Sequence, residues 1–117
     1  DFYLDGSNSK LINEDIIIEG KEINGIFYEN NNVKEISKLN VYDENISYIK
    51  TNKTEMYANI IKYNDETSLI ELESNVKIIS DSETITGDYG TLNTNTNSYK
   101  VKSKDSKRVK VIITNND

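Results

Sequence analysis

The sequence predicts an all-β domain built from successive antiparallel hairpins. Composition is the first reason: Tyr occurs 8 times against 2 Phe and no Trp, Ile outnumbers Leu, Pro is absent and Ala occurs only at Ala58. Ile and Tyr suit a pleated, half-buried surface, whereas a chain nearly free of Ala offers little to a helix. The second reason is a set of short alternating runs separated by Asn, Asp, Glu, Thr and Gly, residues that bond their own backbone or tolerate left-handed conformations. The third is a recurring unit of a large apolar residue, a polar turn and a returning strand.

Along the chain, no aliphatic run is longer than Ile16-Ile17-Ile18, far short of the roughly 20 residues that span a bilayer as a helix. Tyr28 is followed by a Glu-Asn-Asn-Asn turn and Val33, the first hairpin unit. Val33 to Leu39 places apolar residues at Val33, Ile36 and Leu39, the one helix-like spacing, but it runs on into the alternating Leu39-Asn40-Val41 and is read as strand. Tyr42, Asp-Glu-Asn and Ile46 read as a second unit, and Tyr63, Asn-Asp-Glu-Thr-Ser and Leu69-Ile70 as a third. Ile70 to Glu73 and Val76 to Ile78 alternate as strands. The run Leu92-Asn-Thr-Asn-Thr-Asn-Ser-Tyr99 is a fourth unit: Tyr63 to Leu72 superposes on Leu92 to Val101, which makes the Asn/Thr tract a hairpin tip. Gly87 and Gly90 bracket Asp88-Tyr89 and mark a bulge or strand corner; no helix N-terminus follows to make a phosphate loop of them. Tyr99 to Ser103 and Val109 to Ile113 alternate again.

At 117 residues the chain is one domain, 1–117, with a single core. Its apolar share of 35% lies below the roughly 45–50% of globular domains, so that core is thin or elongated. Lone hairpins are marginal in water. Side by side they form one long sheet that curls over, and its inward face becomes an apolar trough suited to a linear hydrophobic guest.

Charge and residue inventory exclude several functions. The net charge is −6, the wrong sign for general nucleic-acid binding, which rests on neutralising phosphates. Only the end is basic: residues 100–117 carry 6 Lys or Arg and 2 Asp, against 8 Lys and 18 Asp or Glu before them. With no His and no Cys, Ser-His-Asp and Cys-His catalysis are impossible, no carboxylate pair stands out for glycoside hydrolysis, and the chain is read as a non-enzyme without a cofactor. Asp81, Glu83 and Asp88 lie close in sequence but fit no dense calcium loop, so no metal site is expected. The chain opens on Asp1-Phe2-Tyr3 without a basic region or apolar run, which reads as a processed or trimmed protein without a signal peptide.

The second half resembles the periplasmic lipopolysaccharide-transport protein A family, the OstA-like fold. The residues are Ala58-Asn59-Ile60-Ile61-Lys62-Tyr63-Asn64, Leu72, Asn75-Val76-Lys77-Ile78, Ile85-Thr86-Gly87-Asp88 and Lys107-Arg108-Val109-Lys110-Val111. They follow the family's order of tyrosine hairpin, "GNV" strand, "i-x-g-d" strand, second hairpin and terminal "KRV" strand over residues 56–113. Residues 1–55 match in rhythm, and Ser74 stands where the family carries Gly. The LptA-, LptC- and LptD-type components stay open, as do a membrane anchor and the preferred lipid.

The resemblance implies a β-taco or incomplete jelly roll that binds lipopolysaccharide in its interior, in the periplasm. It also implies partnership with other Lpt transport proteins and head-to-tail self-association through open edge strands. On this reading the inward, lipid-binding residues are Val41, Ile60, Leu72, Val76, Ile78, Ile85, Val101 and Val111. The same alternation also describes plain core packing, in a structural or adhesive β-repeat module with a closed core and no lipid. Lys100, Lys102, Lys107 and Arg108, with Lys104 and Lys110 beside them, are candidates to contact phosphate. Their other reading is as charges protecting an exposed edge strand.

Overall fold

A computed structural model of the protein describes residues 2–13, 16–51, 53–103 and 110–113. Among the described residues all eight elements are strands: β1 (Phe2–Asn13), β2 (Ile16–Asn30), β3 (Val33–Lys50), β4 (Glu55–Asn64), β5 (Leu69–Ile79), β6 (Glu83–Asn93), β7 (Ser98–Lys102) and β8 (Lys110–Ile113). They form one antiparallel sheet in sequence order β1 to β7, with β8 paired to β6 beyond the end of β7. β1 is one edge, and β7 with β8 is the other. The principal extents of 43 × 31 × 25 Å agree with the elongated core expected from the low apolar content.

The predicted hairpins form where the turn chemistry is strong. Asn31 and Asn32 both take positive φ (53° and 65°), the two-residue turn that matches the twist of flanking strands, and Asn30 pairs with Val33. The repeated unit is structurally real. Tyr63 pairs with Ile70 and Leu92 with Tyr99. Asn64 Oδ1 accepts from the Glu66 N–H and Asn93 Oδ1 from the Asn95 N–H, each at 2.9 Å, and Ser68 and Asn97 take matching positive φ of 56° and 58°. The two turns stack, with Thr94 N–H donating to Ser68 O at 2.8 Å.

What folds the sheet is a line of irregularities crossing it. Register shifts fall between Asp5 and Ser9 in β1, Glu19 and Glu22 in β2, Tyr42 and Ser47 in β3, Tyr57 and Ile60 in β4, and Glu73 and Val76 in β5. Extra residues bend a strand and raise its twist; aligned on neighbouring strands, they make a crease. In β5 the bend is carried by Ser74 and Asn75, both at positive φ (67° and 55°), opposite Asp88 in β6. Asparagines bind it together: Asn59 Nδ2 donates to the carbonyls of Asp43 and Glu44 (2.9 and 3.1 Å), and Asn75 Nδ2 donates to Asn59 Oδ1 at 2.7 Å.

The crease corrects one expectation, and a second irregularity explains a spacing. Tyr42 to Ile46 is not a hairpin turn but the bend within a continuous β3, because bulges and turns draw on the same polar residues. The helix-like spacing at Val33 to Leu39 belongs to that strand as well. Ile26 faces Lys38 and Phe27 faces Ile36, so Ser37 is an extra residue that sets Ile36 and Leu39 on one face three positions apart.

Candidate functional site

Cross-strand partners share a face of a sheet, so the register assigns the interior directly. On one side of the crease, Ile23, Val41, Ile61, Leu72, Gly90 and Val101 form a row across the strands. Leu39, Tyr63, Ile70, Leu92 and Tyr99 form a second row on the same side. Beyond the crease, Ile18, Ile49, Met56, Ile78 and Ile85 form a third. Folding at the crease brings these rows face to face, and most of their aliphatic members are buried in one cluster. The ends of the fold are two lips: the turns 31–32, 65–68 and 94–97 on one, and Thr51, Lys53 and Thr54 with the turn 80–82 on the other.

Of the residues expected on the interior wall, Val41, Leu72, Val76 and Ile78 are buried in this cluster. Val101 packs against it half-buried, and Ile85 is half-buried beside Ile78. Val111 pairs with Ile85 through its backbone, but its side chain lies outside the described residues. Ile60 lies on the other face, opposite the exposed Tyr42 and beside Glu73. The interior residue of β4 is Ile61, which is 0% exposed. Alternation runs through Met56 and Ala58 and then skips a position at Asn59, where the crease cuts β4 and reverses the faces beyond it.

Lys100 and Lys102 are exposed and alternate with the inward-facing Tyr99 and Val101. They therefore stand on the outer face, turned from the trough. Lys104, Lys107 and Arg108, and the Lys110 side chain, lie outside the described residues. Glu83, weighed in the sequence with Asp81 and Asp88 and not expected to hold a metal, has its carboxylate bound by the Tyr99 hydroxyl. Among the described residues no three His, Cys, Asp or Glu are grouped to hold a metal ion.

The two lips do not meet everywhere. At the β7 end they are clasped: Tyr99, from one lip, reaches the carboxylate of Glu83 and, at 3.1 Å, the hydroxyl of Ser80 on the other. Desolvation and the Glu83 bond push the Tyr99 phenol pKa up. Away from the clasp lies an open cleft of about 340 Å³. Its floor is Ile16, Ile18, Ile36, Leu39, Ile49 and Ile70, and its rim is Thr51 and Lys53 on one lip and Thr94, Asn95 and Asn97 on the other. Tyr63 stands at its side with its hydroxyl on Asp65 Oδ1 at 3.0 Å; burial and that carboxylate raise its pKa to about 12. The volume is near the lower end of the roughly 300–1,000 Å³ of small-molecule pockets, enough for one aliphatic chain and too little for several. The cleft was not legible from the sequence, because it depends on how far apart two sets of turns sit.

A larger recess of about 500 Å³ lies on the outer face at the crease, between Ser9, Lys10, Glu19, Asp43, Ile46, Tyr48 and Tyr57. Tyr48 and Tyr57 pack tilted, with ring centroids 4.9 Å apart, and Lys10 pairs with Glu19 at 3.4 Å. This polar lining gives no continuous apolar wall.

A family model described as LptA/(LptD N-terminal domain) LPS transport protein matches residues 7–98. The chain belongs to this family. Among solved structures, the chain is similar to the crystal structure of LptH, "the LptA homologous periplasmic component of the conserved lipopolysaccharide transport device" from Pseudomonas aeruginosa. The TM-score is 0.78 at 13% identity, over 97% of this chain and 83% of that one. At that identity the match speaks to fold, and it agrees with the open, folded sheet of the LptA-type jelly roll. No curated protein sequence matches the chain.

Proposed function

We propose that this protein is a carrier module of lipopolysaccharide transport, taking acyl chains into the apolar interior between the two halves of its folded sheet and working in the periplasm. The observation that supports this best is the cleft between the lips. There the interior rows, Leu39 and Ile70 from one half and Ile18 and Ile49 from the other, line one opening between the lips. Family membership supports the same reading.

The interior is otherwise closely packed: Met56, Ile61, Leu72 and Ile78 are each 0% exposed. That packing favours the competing reading, a structural β module with a dry core. Under the carrier reading the same residues are core and lipid wall by turns, and the lips part to admit the acyl chains. The lip opposite Tyr99 is held by side-chain hydrogen bonds, which net only about 0.5–1.5 kcal/mol each, more when charged. Apolar surface exposed by opening is covered again by the acyl chains.

Two open edges, β1 and β7 with β8, support head-to-tail association with a second copy or with another component of the transport chain, because an unpaired edge templates strand addition. Transfer along such a filament needs no cofactor in this module, only a sequence of binding exchanges.

Photo-crosslinking tests the carrier reading. A crosslinker at Leu39, Leu72 or Val101 is expected to capture lipopolysaccharide, and one at the outward Tyr42 or Tyr89 is not. Equal capture from both faces, or none from the interior, contradicts it.

A further inference from the structure

The cleft has a chemical bias that the acidity of the chain does not lead one to expect. The protein carries 20 Asp and Glu, yet none lines this cleft among the described residues. Among the described residues its rim offers the hydroxyls of Thr51 and Thr94, the amides of Asn95 and Asn97, and one cation, Lys53. Lys53 is exposed, and the ion pairs found among the described residues engage Lys10, Lys21, Lys50 and Lys62, leaving Lys53 outside them. Acids do come near on its far side, where Glu55 and Asp81 line a separate shallow recess with Lys53. Glu55 there already faces Lys50 at 3.9 Å.

We infer that Lys53 takes the anionic head of an amphiphile whose aliphatic chain lies on the Ile18, Leu39, Ile49 and Ile70 floor. A greasy floor under a rim of uncharged donors and one ammonium selects a single chain with a phosphate or carboxylate at its end. The long stem of lysine lets its charge follow the head as the chain slides deeper. Carboxylates on the rim would repel such a head; the nearest ones, Asp65 on the Tyr63 hydroxyl and Glu55 and Asp81 on the far side of Lys53, do not line the cleft. This assignment rests on the carrier reading, and it moves the phosphate contact from Lys100 and Lys102, on the outer face, to the mouth of the trough.

The test is calorimetric titration of the protein with three single-chain probes below their micelle-forming concentrations: dodecyl phosphate, dodecyl maltoside and dodecyltrimethylammonium. An exposed charge pair is worth up to about fivefold in affinity, so the wild type is expected to bind the phosphate about two- to fivefold tighter than the maltoside. K53E is expected to reverse the order in favour of the ammonium probe, and the double variant K100E/K102E to leave it unchanged. Circular dichroism checks that each variant keeps its sheet. If all three probes bind the wild type equally, or K53E preserves the order, the Lys53 assignment is wrong while lipid carriage stands. If no probe binds, the carrier reading falls and the assignment with it.

Discussion

Exchanging Ile60 and Ile61 one at a time for alanine separates the two faces of β4 and tests the crease itself. Ile61 is fully buried between Val41 of β3 and Leu72 of β5, both themselves buried. Three hydrogen-bonded strands cannot close over the space a lost side chain leaves, so Ile61→Ala should cost about 2–5 kcal/mol through lost transfer and the cavity left behind. Ile60 sits beside Tyr42 and Glu73 on the outer face, and Ile60→Ala should cost about 1 kcal/mol or less. In urea, where a small domain loses about 1–3 kcal/mol per molar, the Ile61 variant should unfold about 1–2 M earlier than wild type, and the Ile60 variant close to it. Equal shifts, or a larger one for Ile60, would mean that the alternation runs unbroken through Asn59 and that the sheet is not creased where described.

Three further outcomes follow from the same geometry. Ser74 holds a left-handed backbone at φ 67°, a conformation that costs a residue with a Cβ about 1 kcal/mol or more, so Ser74→Gly should raise stability by about 0.5–1 kcal/mol in denaturant titration despite the added freedom of the unfolded chain. Tyr63, pushed to about 12 by burial and by Asp65, ionises in the unfolded chain near 10, before it does so in the folded one. Its share of stability is therefore complete below pH 10 and lost as the pH climbs towards 12, and Tyr63→Phe should flatten that limb of a pH–stability curve. Tyr99→Phe removes both hydrogen bonds that clasp the lips. It should lower stability by about 1 kcal/mol and speed lipopolysaccharide uptake in stopped-flow, whereas uptake at an unchanged rate would show that the clasp does not gate the trough.

The sequence announced the parts of this fold that local chemistry decides. The turns at 64–69 and 93–98 could be superposed before any coordinates, because an asparagine cap and a left-handed residue recur at fixed positions between Tyr63 and Ile70 and between Leu92 and Tyr99. The crease could not be read in that way. Asp43-Glu44-Asn45 has the composition of a turn, and only pairing with β4 shows that the strand continues. Every inference that counted alternate residues across the crease was exposed to a reversal of face: Leu72, Val76 and Ile78 lie inward, and Ile60 does not. The spacing that looked helical at Ile36 and Leu39 had the same origin, an extra residue at Ser37. The cleft and Lys53 were invisible for a different reason. They depend on residues far apart in sequence, Thr51 and Lys53 on one side and the turn 94–97 on the other, that come together only when the sheet folds over.

A distance across the lips gives the most direct test of whether core and lipid wall are one surface. The chain has no cysteine, so spin labels can be placed at Lys50→Cys and Glu66→Cys, exposed positions beside opposite lips, and read by pulsed electron resonance with and without lipopolysaccharide. The separation should grow when lipopolysaccharide binds. An unchanged separation at saturating lipid would contradict it.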